Sequence, residues 1–398
     1  MDDFFKTCQQ LKPGSTVLLR VDFNLSRDGA GQWILNKRLY GVLPVIKELL
    51  AMQFGVILVS HLGRPRPGVW EERFSLSSLC VELEKLLNKT VTFLSAWPYQ
   101  KTYLAGGTVA LAENTRFLRG ERENDSDLAK KMVENVDLVV MEAFACSHRK
   151  HASTVGILEC AKNVCLGPVH QKELYGIGQF LKTKSPRVAF IGGKKISTKL
   201  PLMVKLLESV DKICFGGGIA STILYAKGFS MGTSWVEFSY LKEVNDFCQL
   251  AEKNNVDLVL PCDVYVSEDL TEFQNSRLVD VDKILPHESV VDIGDRTISQ
   301  YIGSANDALS VYWNGPMGIY EFFSGMQGSS DLAKCLSKGS SYSLVGGGDT
   351  LSVLEKLGIY DFSHLSTGGG AFLHYLANSS TPVLDSMAIE KIDFTETV

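Results

Sequence analysis

The sequence has no uninterrupted apolar run of 18 residues, so it offers no segment long enough for a membrane-spanning helix. Its first ten residues, MDDFFKTCQQ, are polar and acidic, which is unlike a secretory signal peptide. Nine cysteines are present but no CxxC pair, and the closest two are Cys160 and Cys165. We therefore expect reduced thiols, a cytoplasmic location and no membrane partner.

Positive charge is scarce overall, and a net charge of −5 argues against a nucleic-acid partner. The deficit is uneven. Residues 1–170 carry 21 Lys and Arg against 18 acidic residues, whereas residues 171–398 carry 19 against 27. Ten of the thirteen arginines fall in the first 170 residues. Guanidinium groups suit carboxylates and phosphates, so the first half is expected to bind a small anion, unless the excess is scattered over the surface.

Apolar strand patterns alternate with helical patterns along the 398 residues, which predicts an α/β protein with two doubly wound parallel-sheet domains. In the first half, the predicted strands are Val17–Asn24, Gly55–Ser60, Thr108–Leu111 and Val136–Met141, with helices from Arg38 and over Leu76–Leu87. In the second half, they are Val188–Ile191, Ile213–Phe215, Val256–Leu260, Val290–Ile293, Leu309–Trp313 and Ser341–Val345.

A single helix is predicted to join the two halves. Val169–Thr183 has a helical pattern that contains Gly176 and Gly178, and the strand–helix alternation restarts after Lys184-Ser185-Pro186. We therefore predict a first domain over 1–168, a connecting helix over 169–183 and a second domain over 184–381. The two glycines lower helix stability and would allow bending.

Polar residues follow the predicted strands of the first half, where parallel sheets bind their ligands. They are Asp22, Asn24, His61, Arg64, Arg116 and Arg149, with Arg38 at a helix start. This placement favours an anion pocket over a scattered surface. His61 could act as a general base, but we favour substrate binding. Cys146, His148 and His151 could suggest zinc, although three ligands on one loop without a partner cluster make a weak pattern.

In the second half, Gly346–Thr350 (GGGDT) lies between an apolar run and a helical pattern. Such a layout directs backbone N–H groups at an anion. Asp349 beside a phosphate requires a divalent cation between the two, which suggests a metal–nucleotide phosphate loop. A tight turn with Asp349 as a helix N-cap is the alternative, and the pentapeptide alone does not decide.

Other predicted strand ends in the second half also finish in glycine turns or polar residues, and on one sheet edge they would form a nucleotide cleft. The segments are GGKKISTKL, GGGIAS, PCDVYVSED, GDRT, NGPMGIYE and HLSTGGGAF. Lys195 and Lys199 would share a face if they lie in a helix. Asn314 is presented by a turn, and Glu321 could reach a sugar hydroxyl. The segments match neither a Walker A sequence nor a complete dinucleotide fingerprint.

Nine segments, in this order, resemble the phosphoglycerate kinase family over nearly the full chain. They are RVDFN (20–24), SHLGRP (60–65), ENTRF (113–117), HRKHAST (148–154), GGKKISTK (192–199), GGG (216–218), WNGPMGIYE (313–321), GGGDT (346–350) and STGGGA (366–371). The resemblance implies a monomeric, hinge-bending kinase of glycolysis, with 382–398 packing back on the first domain. It would transfer a phosphoryl group reversibly from 1,3-bisphosphoglycerate to MgADP, giving 3-phosphoglycerate and MgATP, in line after domain closure.

The resemblance also assigns site residues by position. The glycerate and its 3-phosphate would be held by Asp22, Asn24, Arg38, His61, Arg64, Arg116 and Arg149. The nucleotide ADP or ATP would be held by Gly193, Lys195, Lys199, Gly217, Gly218, Asn314, Pro316, Glu321, Gly346, Gly347, Gly348, Asp349 and Thr350, with Mg²⁺ on Asp349. Catalysis would depend on Arg38, Lys199 and backbone N–H groups near Gly369 and Gly370.

Some residues depart from the family pattern. They are Met141, Glu142 and Ala145 in a segment that usually reads VNDAFG, Lys194 where alanine is common, Thr198 where aspartate is usual, and Phe372 and His374 in place of serine and glutamate. These changes bear on rate and closure rather than on reaction class. A nicotinamide dehydrogenase and a non-catalytic anion-binding protein are the rival hypotheses.

Overall fold

The computed structural model describes residues 2–269, 276–322 and 325–387. These form two compact units. Unit 1 contains the chain up to Leu174 and the described residues from Asn378 onward, and unit 2 contains Tyr175–Ala377. The division therefore falls inside the helix Pro168–Lys182. Residues 378–381, which the sequence pattern assigns to the second domain, belong to unit 1.

Unit 1 is built on a six-stranded parallel sheet with the strand order β3-β4-β2-β1-β5-β6. Its strands are β1 (Thr16–Arg20), β2 (Gly55–Val59), β3 (Val91–Leu94), β4 (Val109–Ala112), β5 (Leu138–Met141) and β6 (Val164–Leu166). Its helices are α1 (Asp2–Gln9), α2 (Lys37–Ala51), α3 (Leu79–Leu87), α4 (Ser126–Val133), α5 (Ile157–Cys160), the first part of α6 (Pro168–Lys182) and α14 (Pro382–Ser386). The short strands β3 and β6 are not predicted from the sequence.

The apolar pattern explains these elements. Every residue of β1 and β2 is buried, as expected for parallel strands covered on both faces. Helix α2 buries its predicted stripe, including Leu39, Ile46 and Leu49, and Asn36 caps it by accepting a hydrogen bond from the Arg38 N–H at 3.0 Å. The predicted strand Val17–Asn24 is shorter in the structure, because the chain leaves the sheet after Arg20.

Unit 2 has a second six-stranded parallel sheet, with the strand order β15-β14-β13-β7-β8-β9. A separate antiparallel sheet has the order β11-β10-β12. The strands are β7 (Arg187–Ile191), β8 (Lys212–Phe215), β9 (Asp257–Val259), β10 (Asp263–Ser267), β11 (Arg277–Asp280), β12 (Ser289–Ile293), β13 (Ser310–Asn314), β14 (Tyr342–Gly346) and β15 (His364–Ser366). The helices are the rest of α6, α7 (Leu200–Leu206), α8 (Gly217–Ala226), α9 (Leu241–Lys253), α10 (Asp295–Asp307), α11 (Gln327–Lys338), α12 (Gly348–Leu357) and α13 (Gly370–Asn378).

The prediction of two parallel α/β sheets is confirmed, but the placement of Val290–Ile293 on the edge of the parallel sheet is wrong. The strand it forms, β12, pairs antiparallel with β10. Three residues separate β9 from β10, whereas a parallel crossover needs a dozen or more. The segment GDRT therefore follows a strand of the small sheet, whose core includes Leu224, Val264 and Val279.

In each parallel sheet the first strand of the unit lies in the middle, at a point where the strand order reverses, and this locates the two crevices. In unit 1, β1 lies between β2 and β5, and in unit 2, β7 lies between β13 and β8. Ligands of open α/β sheets bind beyond the carboxyl ends of the strands at such positions. Among the described helices, none has both the length and the apolar character that a membrane crossing requires.

Candidate functional site

The predicted anion-binding residues of unit 1 lie at the carboxyl edge of its sheet. Asp22 and Asn24 follow β1, and His61 follows β2. Arg116 lies in a 3-10 turn after β4 that Asn114 caps by accepting the Arg116 N–H at 3.0 Å. Arg149 comes from the loop after β5. The fold thus brings residues from four strand ends to one edge.

His61 is the centre of this cluster. Its Nε2 lies 3.3 Å from the Arg149 guanidinium, and its Nδ1 lies 3.5 Å from that of Arg20 and 3.8 Å from Cys146 Sγ. Burial, and then the positive charges of the surrounding arginines, hold the pKa of His61 well below its ordinary value. A neutral imidazole keeps one N–H but lacks the acidic proton of an imidazolium, so it is a poor general acid near pH 7. The contacts therefore suit ligand positioning better than acid catalysis.

The arginines leave this edge with excess positive charge. Burial lowers the pKa of Arg116 to about 10, with the Glu121 carboxylate opposing the shift and Arg149 adding to it. Burial and the same arginines lower the pKa of His151 to about 3. Such shifts mark a site where positive charge is costly until an anion arrives. A small ligand with several negative charges would relieve that cost.

Arg20 belongs to this cluster but is missing from the sequence-based set. Its side chain is buried, and its Nε donates to the carbonyl of Ser153 at 3.0 Å and contacts Ser153 Oγ at 3.3 Å. Glu121 in turn accepts from Ser153 Oγ at 2.6 Å. The signal in the sequence is a charged residue at the end of the otherwise apolar strand VLLRV, because a buried charge needs partners.

Arg38, Asp22 and Asn24 occupy the outer part of the edge. The Arg38 guanidinium pairs with the Asp22 carboxylate at 3.1 Å, and a third of the Arg38 side chain stays exposed. Asn24 Oδ1 accepts the Gly63 N–H at 2.9 Å, which ties the loop after β1 to the loop after β2. Arg64, on that second loop, is exposed.

The metal alternative for this edge is not supported in its predicted form. Cys146 groups with Asp22 and His61, whose possible ligand atoms lie within 4.8 Å of one another. The guanidiniums of Arg20 and Arg149 contact the same histidine, and a dication there would be repelled. Burial also raises the pKa of the Cys146 thiol to about 11, so a thiolate ligand is disfavoured.

In unit 2, the ends of β7 and β13 approach closely enough to exclude side chains. A Cβ on Gly192 would lie 2.0 Å from the Pro316 carbonyl oxygen, and one on Gly315 would lie 2.1 Å from the Gly192 carbonyl oxygen. The Gly193 N–H donates to that Pro316 carbonyl at 2.9 Å. Glycine is therefore required at both turns, and the crevice between the strands is lined by backbone.

The start of α12 resolves the two interpretations of GGGDT. Gly347 is the N-cap, with φ +98°, and no side chain caps the helix. Asp349 lies within the first turn and is exposed, and its Oδ1 accepts from the Tyr320 hydroxyl at 3.3 Å. The N-cap interpretation of Asp349 is therefore wrong. The uncapped N–H groups and the exposed carboxylate suit a phosphate with a cation.

A cavity of about 510 Å³ opens beside this helix start. Six of the predicted nucleotide-binding residues line it: Gly193, Gly217, Gly218, Pro316, Glu321 and Asp349. Lys194, Trp235, Val290 and Ile319 also contribute to its wall. Its size and its combination of apolar wall and glycine backbone suit a nucleotide-sized ligand.

Lys199 and Asn314 lie together beside the crevice. The Lys199 ammonium donates to the Asn314 side-chain oxygen and, at 3.3 Å, to its backbone carbonyl. Burial lowers the pKa of Lys199 to about 8, and the Asp349 carboxylate opposes that shift. Lys195 is exposed, and a 3-10 turn separates it from Lys199. The two lysines therefore do not share a face of one α-helix.

The remaining predicted positions differ in their availability. The Thr350 hydroxyl is buried and accepts the Gly315 N–H at 2.7 Å, so it holds the turn after β13. Gly346 ends β14, and Gly348 begins α12. Gly369 and Gly370 are exposed at the start of α13, but the neighbouring Ala371 N–H donates to the Gly368 carbonyl at 2.9 Å. Of the N–H groups expected near 369–371, that of Ala371 is therefore engaged.

Comparison with known proteins identifies the family of this chain. The sequence profile of the family described as phosphoglycerate kinase matches residues 9–379. This chain belongs to the phosphoglycerate kinase family. It is similar to the phosphoglycerate kinase of Coxiella burnetii, with 38% identity over 370 residues, covering 92% of this chain and 94% of that protein. It is also similar to that of Desulfovibrio desulfuricans, with 40% identity over 373 residues, covering 93% and 95%.

Solved structures of the phosphoglycerate kinase family show the same fold. The structure of phosphoglycerate kinase from Coxiella burnetii superposes with a TM-score of 0.87 at 37% identity, covering 96% of this chain and 98% of that one. The crystal structure of phosphoglycerate kinase from Pyrococcus horikoshii gives a TM-score of 0.82 at 27% identity, with the same coverage. The recognition from sequence motifs is thus confirmed.

Three departures from the phosphoglycerate kinase pattern have structural explanations. Phe372 is buried and stacks on Tyr312, with ring centroids 4.9 Å apart. The Thr198 hydroxyl donates to the Lys195 carbonyl at 2.8 Å, which closes the 3-10 turn. Met141 is the buried last residue of β5. His374 and Ala145 have no evident structural rationale.

Glu142 also has a defined role at the start of α6. It is buried, and its carboxylate accepts the N–H groups of Val169 at 3.0 Å and His170 at 3.4 Å. A Cβ on Gly167 would lie 2.0 Å from its Oε2, so the chain is fitted closely around this carboxyl group. Burial raises the pKa of Glu142 to about 8, although the two backbone hydrogen bonds oppose the shift.

Glu142→Gln is expected to flatten the dependence of thermal stability on pH. Because the pKa of Glu142 is higher in the folded chain, its contribution to stability is full below the ordinary pKa near 4.5 and is lost as the pH rises through about 8. Glutamine keeps an acceptor without a charge. The Tm of the variant relative to the parent chain should therefore increase between pH 5 and pH 9, by several degrees. Parallel Tm profiles for the two proteins would contradict this assignment.

Proposed function

We propose that this chain catalyses the reversible transfer of a phosphoryl group from 1,3-bisphosphoglycerate to ADP, giving 3-phosphoglycerate and ATP. The main support is that the family's motif residues lie together, in each unit, at the carboxyl edge of a parallel sheet. The residues of unit 1 suit the glycerate substrate, and those of unit 2 suit the nucleotide. Family membership gives the reaction class.

Unit 1 supports the binding of the glycerate substrate. Arg116 and Arg149 lie with buried Arg20 around a neutral His61, and their charges exceed those of the nearby Glu121. A terminal phosphate matches the fork geometry of the guanidiniums. The outer Asp22, Asn24 and Arg38 would contact the hydroxyl and carboxyl end, and exposed Arg64 would close on the phosphate.

Unit 2 supports the binding of the nucleotide. The apolar part of the cavity would take the base, Glu321 a ribose hydroxyl, and the glycine turns at 193, 217 and 218 the phosphates. The uncapped start of α12 adds N–H donors for the terminal phosphate. Lys199 would contact the transferring group, since its ammonium is held beside the crevice by Asn314.

The chemistry requires no nucleophile from the protein. An oxygen of the ADP β-phosphate attacks the acyl-phosphate phosphorus, and the bond from that phosphorus to the C1 carboxyl oxygen breaks. The electron pair leaves with the carboxylate of 3-phosphoglycerate. The protein's contribution is alignment and charge neutralisation, which we assign to Arg38, Lys199 and the N–H groups of Gly369 and Gly370.

The residues at the start of α12 fit a magnesium ion. Mg²⁺ in nucleotide sites is held by one or two carboxylates together with substrate phosphates, and the exposed Asp349 supplies one carboxylate beside the uncapped N–H groups. When bound, the ion would neutralise phosphate charge during transfer. Tyr320 orients the carboxylate through its hydroxyl.

Asp349→Ala is expected to raise the Mg²⁺ concentration needed for half-maximal turnover by about tenfold or more, because the protein's carboxylate ligand is lost. Tyr320→Phe is the matched variant, because it keeps the carboxylate and removes one hydrogen bond, and its effect should be several times smaller. The measurement is turnover against free Mg²⁺ at saturating nucleotide. An unchanged magnesium dependence in Asp349→Ala would rule out this ligand.

A coupled assay tests the proposed function. With 1,3-bisphosphoglycerate and MgADP, the chain should form ATP, and omission of Mg²⁺ or of either substrate should abolish the signal. A change of NADH fluorescence on binding, without ATP formation, would favour a nicotinamide dehydrogenase. Binding of both phosphorylated ligands without turnover would favour a non-catalytic protein.

We further propose that the chain acts as a monomer in the cytoplasm. The support is its family membership and its nine cysteines, all free in the structure and five of them buried. Size-exclusion chromatography with light scattering would test the monomer, and a mass near 88 kDa, about twice the 43.8 kDa chain, would exclude it.

A further inference from the structure

One feature of the unit 2 cavity is not explained by phosphate or metal binding. Trp235 lines the cavity and is 45% exposed, although a tryptophan side chain gains free energy from burial. The Lys194 ammonium lies over its ring, 4.4 Å from the centroid. Lys194 is itself part of the cavity wall. The cavity wall therefore contains a partly exposed aromatic ring with a cation over it.

The surroundings of the ring suit a flat heterocycle. Val290, Val291 and Ile319 contribute apolar surface to the same cavity, while the acidic groups Glu321 and Asp349 line it as well. Nucleobases stack on aromatic side chains irrespective of their hydrogen-bonding pattern. The base of a bound nucleotide is thus the part of the ligand that would cover the ring of Trp235.

The segment that follows Trp235 is also hydrogen-bonded to the segment that follows Lys194. Glu237 accepts from the Ser197 hydroxyl at 2.6 Å and from the Ser197 N–H at 3.0 Å. A Cβ on Gly218 would lie 2.4 Å from the Lys194 carbonyl oxygen and 3.0 Å from Trp235 Cδ1, so α8 starts in contact with both residues. The backbone segments that carry Trp235 and Lys194 are therefore held close to each other.

We propose that Trp235 is the base-contacting residue of the nucleotide site, and that Lys194 holds its ring in place and so favours nucleotides over base-free phosphates. This rests on the proposed function, since it assigns the nucleotide to this cavity. Trp235 and Lys194 would determine how much of the affinity comes from the base. The residues at 193, 199 and 349 would determine how much comes from the phosphates.

The test is equilibrium binding of two probes, MgADP and magnesium pyrophosphate, which has no base. Trp235→Ala should raise the Kd of MgADP by about 10- to 100-fold, and Trp235→Phe by no more than about threefold. Both variants should leave the Kd of pyrophosphate within about twofold. Tryptophan emission should be quenched by MgADP in the parent chain and not in Trp235→Phe. The control Trp70→Ala removes another exposed tryptophan, which lies outside this cavity, and should leave both Kd values unchanged.

Lys194 is tested by a double-mutant cycle. Lys194→Ala should weaken MgADP binding by about two- to fivefold in the parent chain and by less in the Trp235→Ala background. Additive effects would overturn the pairing of the two residues. Equal loss of both probes in Trp235→Ala would indicate a structural role and overturn the base contact, as would an unchanged Kd for MgADP. If MgADP binds as expected but no ATP forms in the coupled assay, the proposed function fails while the base contact stands.

Discussion

Lys199→Ala is expected to lower kcat by about 100- to 1,000-fold while changing the Kd of MgADP by less than about tenfold. The ammonium is held by Asn314 beside the crevice, where it would interact more strongly with the phosphoryl group in transit than with the resting nucleotide. A contact made mainly in the transition state lowers kcat when it is removed, whereas a contact made equally throughout lowers affinity. The two constants, from the coupled assay and from calorimetry, separate these cases.

The protonation state of Lys199 allows a second test with the same variant, the dependence of nucleotide binding on pH. Burial lowers its pKa to about 8, so the free chain keeps the charge at pH 7 and loses it as the pH rises above 8. Nucleotide binding by the parent chain should weaken above pH 8, and Lys199→Ala should lack that part of the pH dependence. Lys205→Ala is the control, because that lysine pairs with Glu208 on the surface. Near-parental kcat in Lys199→Ala would refute the assigned role.

Arg38→Ala is expected to lower kcat by about 100-fold or more and to leave the Kd of MgADP within about twofold. Arg38 stands in the first turn of α2, where a cation is disfavoured by the helix dipole, and a third of its side chain is exposed beside Asp22. A cation in this turn lowers the stability of the helix, and a negatively charged ligand that requires it would explain why an arginine is present. The nucleotide cavity lies in unit 2, so its affinity should not depend on this residue.

The measurement for Arg38 is again kcat together with calorimetric Kd values for MgADP and 3-phosphoglycerate. Lys47→Ala on the same helix is the matched control, because Lys47 is exposed and lies outside the candidate site. Asp22→Asn should weaken 3-phosphoglycerate binding more modestly, since it removes the partner of Arg38 but keeps the guanidinium. Turnover in Arg38→Ala close to that of Lys47→Ala would exclude a catalytic function.

Local patterns determine much of this fold, and these are readable in the sequence. The stripe of Leu39, Ile46 and Leu49 predicts α2, and the buried runs predict the central strands of both sheets. Glycine turns after β7 and β13 are predictable because their positions follow apolar runs. Because the carboxyl ends of parallel strands meet at one edge of the sheet, these patterns are enough to predict an arginine cluster in unit 1 and a glycine-lined edge in unit 2.

Contacts between distant residues account for what is missed. The role of Arg20 depends on Ser153, which is 133 positions away, and the strand VLLRV shows an isolated charge without showing its partner. The antiparallel sheet arises because three residues between β9 and β10 permit no crossover, a constraint that strand patterns do not express. The sequence around Trp235 does not indicate that its side chain lines a cavity, because the other residues of the cavity wall come from distant segments.

The hydrogen bonds of Asn314 have a consequence for the timing of catalysis. Its Nδ2 donates to the buried Tyr312 hydroxyl at 2.7 Å, which fixes the amide so that its oxygen faces Lys199. Tyr312 and Asn314 both belong to β13, beside the middle of the sheet, so the amide of Asn314 is already oriented in the folded chain. The long side chain of Lys199 thus loses its rotamer freedom before any substrate binds. The loss of side-chain entropy therefore does not add to the activation free energy of phosphoryl transfer.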